Sequence, residues 1–177
     1  MKKTIIIIPL IVSLCAVQSA YCLDYLENAG NVLEVALPAA ALGVSAYKKD
    51  LKGILQLAEA FAVTEIVTEG LKYTVKETRP NGGSQSFPSG HTSAAFCGAA
   101  FLDVRYGEAW GVPAYVLAAI TGWSRIESNN HFPWDVAAGA VIGVAGNLIF
   151  TRRHITNVQL VPVSDNGNFG VAMVYRW

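Results

Sequence analysis

Residues 86–107 read SFPSGHTSAAFCGAAFLDVRYG, and this stretch decides the fold. A Ser and a Gly precede an Ala-rich apolar run, so the Ser89 hydroxyl is placed to cap a helix. The run extends from His91 to Tyr106 and stops at Arg105-Tyr106-Gly107. Four more apolar segments surround it, at about Asn31 to Tyr47, Leu51 to Leu71, Ala109 to Gly122 and Trp134 to Phe150. Their Ala, Leu, Val and Gly content, their length, and polar stops such as Lys48-Lys49-Asp50 and Thr151-Arg152-Arg153 favour helices over strands. The expected fold is all-α: a bundle of about five apolar helices, six if the N-terminal run is retained, followed by a small C-terminal β-hairpin.

The hairpin is expected because Val158 to Val163 and Phe169 to Tyr175 are β-prone and flank Ser164-Asp165-Asn166-Gly167-Asn168, where Asn-Gly favours a tight turn. Trp177 raises the thought of an outer-membrane strand, but two strands cannot close a barrel, so packing on the bundle is expected. At the other end, Lys2 and Lys3 precede an apolar run from Ile5 to Val17 with small residues after it, the layout of a secretory signal cut between Ser19 and Leu23. The alternative is a retained membrane helix, since the run is only slightly short of the ~20 residues a span needs. The expected division is residues 1–22 as signal or retained helix, 23–155 as the helical domain and 156–177 as the hairpin.

The 177 residues suit one domain with a real core. Thirteen Lys and Arg balance thirteen Asp and Glu, so no basic field exists to hold a nucleic-acid backbone. Cys15 lies in the signal run and Cys22 at its edge, which leaves Cys97 as a small buried hydrophobe and implies no disulfide framework. Export with few cysteines fits a bacterial cell envelope, periplasmic or inner-membrane-associated. The segments are short for ~30 Å of hydrocarbon and hold Glu34, Glu59 and Glu65, which favours a soluble or peripheral bundle. Against this, alternating helices gather Lys48, Lys49, Lys52, Arg105, Arg152 and Arg153 at one end, as in an integral protein, and both readings stay open.

Chemistry concentrates at the opposite end. Lys72 and Arg79 lie seven apart, near one helical face, and Pro80 is expected to end that helix so that Arg79 projects from its last turn. Ser89 and Gly90 leave free backbone N–H groups facing an anion, with His91 beside it to give a proton to a leaving group. Arg125 adds a further guanidinium. His131 and Asp135 lie four apart, with Pro133 where a helix can start, so the carboxylate can hold one ring nitrogen while the other is a nucleophile. Fixed cations, two imidazoles and one orienting carboxylate suit attack on a phosphoryl group.

Lys72-x6-Arg79-Pro80, Pro88-Ser89-Gly90-His91 and Ser124-Arg125-x5-His131-x3-Asp135 together resemble the three motifs of the type 2 phosphatidic-acid phosphatase and vanadium haloperoxidase superfamily, in the usual order. The resemblance covers roughly Leu51 to Phe150. It implies a helical phosphatase with no metal or cofactor. His131 would attack phosphorus to form a phosphohistidine, Asp135 would orient it, and His91 would be the general acid. Lys72, Arg79, Ser89, Gly90 and Arg125 would hold the equatorial oxygens, and vanadate would inhibit as a five-coordinate mimic.

Members of that superfamily share the site while differing in substrate, so substrate is argued separately. The short chain and its apolar segments favour a lipid phosphate of the phosphatidic acid, isoprenyl diphosphate or lipid A type, met at a membrane surface. A soluble periplasmic acid phosphatase is the alternative, and a non-catalytic envelope protein that binds phosphate stands behind it. A zinc hydrolase built on His91, His131 and Asp135 is disfavoured by irregular ligand spacing amid positive charge. A Ser89 nucleophile is disfavoured because no acidic orienter is near.

Overall fold

Five helices follow one another before two paired strands in the computed structural model, which describes residues 7–154, 157–165 and 168–176. The helices are α1 (Ile7–Tyr47), α2 (Leu51–Val75), α3 (Gly90–Tyr106), α4 (Glu108–Glu127) and α5 (Pro133–Phe150). The Ala-rich α3 packs against each of the other four, and its residues Ala95, Ala99, Phe101 and Leu102 form the centre of the core. Small side chains let the helices approach closely. Gly139 of α5 has no room for a side chain, because a Cβ there would lie 2.5 Å from the Ser89 carbonyl oxygen. Polar bonds add to the packing: Thr68 donates to Ser93 across α2 and α3, and Asn147 Nδ2 donates to the carbonyl of buried Cys97 across α5 and α3.

Three helix boundaries differ from expectation. The stretch Asp24 to Ala29 is polar but contains no breaker, so the N-terminal run and the first bundle helix form one element from Ile7 to Tyr47. Gly122 does not end α4; one Gly costs only about 1 kcal/mol in a helix, and the chain continues to Glu127 before Asn129 turns left-handed at φ 55°. Helix α2 passes Leu71 but stops at Val75, where Lys76 adopts φ 51° and returns its N–H to the Lys72 carbonyl. Arg79 therefore lies in a loop, not on a last helical turn. Proline disfavours the α-region for the residue before it, so a helix ending at Pro80 could not have carried Arg79.

The strands β1 (Asn157–Asp165) and β2 (Asn168–Arg176) pair antiparallel, with Asp165 opposite Asn168. The Asn166-Gly167 dipeptide that predicts the turn lies outside the described residues. The expected packing of the strands on the bundle is not seen among the described residues, where each strand meets only the other.

The ends of the bundle differ in chemistry. At one end Asp50 receives Arg105 Nε at 2.7 Å and Nη2 at 2.6 Å, together with the Tyr106 hydroxyl and the Gly53 N–H. Arg105 also donates to Gln56 and to the Arg152 carbonyl, so one buried guanidinium joins the α1–α2 turn, α3 and the chain leaving α5. Burial pushes the Asp50 carboxyl up, but these bonds and the Arg105 charge outweigh it and hold the group at about 2. Lys48, Lys49, Arg152 and Arg153 surround this end on exposed positions. Between the ends the outer faces are largely apolar, with Val35, Leu42, Leu55, Ile66, Val116, Val141 and Ile149 exposed and Glu59 of α2 exposed among them. Exposed aromatic residues flank that band, Tyr47 and Trp110 beside the basic end and Tyr73, Trp123 and Trp134 toward the other. Asp24–Tyr47 and Pro133–Phe150 are long and apolar enough to cross a membrane by length and composition.

Candidate active site

At the end opposite Asp50, the loop after α2, the start of α3, the end of α4 and the start of α5 converge. The Ser89 N–H donates to the Asp135 carbonyl at 3.0 Å and the Asn81 N–H to the Asn129 carbonyl at 3.1 Å, which ties three distant segments together. Ser89 caps α3 as expected, accepting from the Thr92 N–H, and the Thr92 hydroxyl donates to Ser89 Oγ at 2.9 Å. Gly90 opens the helix. A Cβ at this position would come within 2.9 Å of Lys72 Nζ, so the ammonium of α2 stands directly at the N-terminus of α3. Lys72 also pairs with Glu69 at 2.9 Å.

Pro133 begins α5, and Asp135 occupies its first turn, where Oδ2 accepts the Phe132 N–H at 2.9 Å and the Ser86 hydroxyl. That same oxygen lies 3.4 Å from His131 Nδ1, within ion-pair range but without hydrogen-bond alignment, so His131 Nδ1 and Asp135 Oδ1 are buried without a hydrogen bond. Such bonds often close only in the substrate complex. His131 is 3% exposed. Burial lowers its affinity for a proton, the nearby Arg79 charge lowers it further, and Asp135 and Ser86 pull the other way, leaving it at about 4. The ring is therefore neutral near pH 7, as a nucleophile requires.

Arg79 is held by its loop, with Nε donating to the Ser84 carbonyl at 3.0 Å, and its charge acts on both His131 and Arg125. Arg125 is buried and turns toward α1: Nη1 donates to Asn31 Oδ1 at 2.8 Å and Nη2 to the Glu27 carbonyl at 2.6 Å. Gly30 makes this possible, since a Cβ there would lie 2.0 Å from Ser124 Oγ and 2.6 Å from Arg125 Nη2. His91 also faces α1, with Nε2 2.9 Å from Glu34 Oε2 and 3.1 Å from Asn31 Oδ1.

The structure thus gathers Lys72, Arg79, Ser89, Gly90, Arg125, His131 and Asp135 at one end of the bundle and turns His91 to carboxylate and amide oxygens of α1. Sequence reasoning missed Ser86, Asn31 and Glu34. Ser86 has a signal in hindsight, a hydroxyl just ahead of Pro88-Ser89-Gly90-His91. Asn31 and Glu34 have none, because they lie about sixty residues from the His they touch. No group of three His, Cys, Asp or Glu side chains is placed to share a metal ion among the described residues.

A groove of about 490 Å³ runs between α1 and α2. Val35, Pro38, Leu42, Leu57 and Phe61 give it an apolar lining, while Glu34 and Glu65 stand at the end nearer His91 and Lys72.

A buried imidazole beside a carboxylate, a capped helix start and several cations thus stand together at one end of an α-helical bundle. A family model described as "PAP2 superfamily" matches residues 81–159. Over those residues the chain is similar to the PAP2 superfamily. It is 29% identical over 170 residues to a lipid A 4'-phosphatase of Helicobacter pylori, covering 86% of this chain and 85% of that one. It is also 29% identical over 105 residues to the undecaprenyl-diphosphatase BcrC of Bacillus subtilis, covering 58% of this chain and 54% of that protein. Among solved structures, the PAP2-type phosphatidylglycerolphosphate phosphatase from Bacillus subtilis shares the fold with a TM-score of 0.61, at 22% identity over 76% of this chain and 84% of that one.

Proposed function

We propose that this protein is a membrane-bound phosphatase of the bacterial envelope that removes phosphate from a lipid phosphomonoester or diphosphate through a phosphohistidine on His131. The observation that carries the reading is the convergence of Lys72, Arg79 and Arg125 with the neutral, buried His131 beside Asp135. In this mechanism His131 Nε2 attacks phosphorus, Asp135 faces Nδ1, and His91 protonates the leaving oxygen. The cations and the Ser89-Gly90 helix start take the charge on the equatorial oxygens. The protein requires no metal or cofactor, and vanadate competes with substrate.

Three features favour a lipid over a small soluble phosphomonoester: the apolar outer faces between aromatic girdles, the groove that ends at Glu34, and the names of the relatives. Exposed basic residues at the far end favour an orientation with the site on the periplasmic side.

The test is an assay of the detergent-solubilised protein on lipid A, an isoprenyl diphosphate, phosphatidic acid and a soluble aryl phosphate, with His131→Ala beside it. The lipids are expected to be turned over with higher kcat/KM than the aryl phosphate, and His131→Ala to lose both turnover and covalent labelling by phosphate. Turnover surviving in His131→Ala would overturn the mechanism. A preference for the aryl phosphate in detergent-free buffer would replace the lipid reading with that of a soluble acid phosphatase.

A further inference from the structure

Two residues of α1, neither within a motif, grip the imidazole to which the phosphatase reading gives the acid role. Glu34 Oε2 lies 2.9 Å from His91 Nε2 and Asn31 Oδ1 lies 3.1 Å from it. The same Asn31 oxygen accepts from Arg125 Nη1, so one amide joins the acid to the buried guanidinium. Positions 27, 31 and 34 fall on one stripe of the helix, which points a row of oxygens at the site. We infer that Glu34 is a positioning residue for His91, as Asp135 is for His131, and that α1 is a working part of the active site. This inference rests on the acid role proposed above.

The chemistry follows from which ring nitrogen is engaged. With the Nε2 proton directed at the Glu34 carboxylate, the proton available for transfer sits on Nδ1 of the imidazolium. As the P–O bond breaks, the leaving oxygen keeps the bonding pair and takes the Nδ1 proton. His91 is left neutral with Nε2–H still held by Glu34. In the second step Nδ1 takes a proton from water while the water oxygen bonds to phosphorus and the P–N bond to His131 opens. Free phosphate departs and the imidazolium is restored. The carboxylate stabilises the charged ring without itself taking the proton.

Other charged groups around Glu34 set its field. Glu65 of α2 opposes it, Arg125 of α4 attracts it, and Lys72 stands close to Glu65. Because Glu34 also closes the site end of the α1–α2 groove, the residue that steers the acid is in reach of whatever occupies that groove.

The test compares Glu34→Gln, His91→Ala and the double variant in detergent, on a series of phosphomonoesters running from alkyl to nitroaryl leaving groups. Glu34→Gln is expected to lose about 10²-fold in kcat on alkyl esters, and less than about tenfold on nitroaryl esters that leave unaided. Added to His91→Ala it should cost less than about twofold more, because two residues acting as one unit are not additive. Competitive inhibition by vanadate should persist in Glu34→Gln and report an intact pocket. Equal losses across leaving groups, or full additivity with His91→Ala, would overturn the role of Glu34. A His91→Ala variant with no leaving-group dependence would instead overturn the acid role of His91. Should Glu34→Gln not fold, Glu34→Asp supplies the same readout, with a smaller loss on alkyl esters expected.

Discussion

Arg79→Gln and Asp135→Asn are expected to move the acid limb of activity in opposite directions. His131 ionises at about 4 rather than 6.5, first because it is buried and then because the Arg79 charge repels an imidazolium. That difference corresponds to about 3 kcal/mol between the two protonation states. The nucleophile is the neutral ring, so on the acid side activity should fall tenfold per pH unit only below about 4. Replacing Arg79 removes a repulsion and raises the limb; replacing Asp135 removes an attraction and lowers it, with a loss of rate in each case from the missing contact. The assay is kcat/KM on a soluble aryl phosphate from about pH 3 to pH 8, alongside NMR titration of the His131 ring. A wild-type limb near 6.5, or a shift of both variants in the same sense, would refute the reasoning. Stability responds in step. The unfolded chain takes up this proton at 6.5 and the folded chain at about 4, so the native state is fully favoured above 6.5 and weakens by up to about 3 kcal/mol as pH falls through 4.

Three substitutions concern the scaffold. Gly139→Ala should push α5 off the Ser89 carbonyl, costing about 1–3 kcal/mol in thermal unfolding and lowering kcat, since Ser89 caps the helix that opens the site. Gly70→Ala, where nothing lies within 4 Å of the new methyl group, should instead stabilise by about 0.5–1 kcal/mol with activity unchanged. At the far end, Asp50→Asn should cost about 3–5 kcal/mol because it leaves buried Arg105 unpaired, measured by denaturation in detergent. The wild-type contribution of Asp50, whose value drops from 3.8 to about 2 on folding, should be present above pH 3.8 and disappear as pH falls through about 2.

The sequence by itself determined the helical class, the two-ended layout and most of the polar residues of the site. Apolar runs of helical length, the Ser89 cap and Pro133 as a helix start are local properties, set by side chains within a turn or two of one another. Only the tertiary structure decided the rest. The helix ending at Val75 rather than at Pro80 depends on a left-handed Lys76, and the loop that then carries Arg79 is shaped by its own bonds to Gly83 and Ser84. Ser86 gains its place from Asp135, forty-nine residues away. Glu34 and Asn31 look like ordinary polar residues of an apolar helix until α1 packs on α3 and α4 and sets them against His91 and Arg125. A hydrogen bond depends on distance and angle in space, and spacing along the chain encodes those only within a single element.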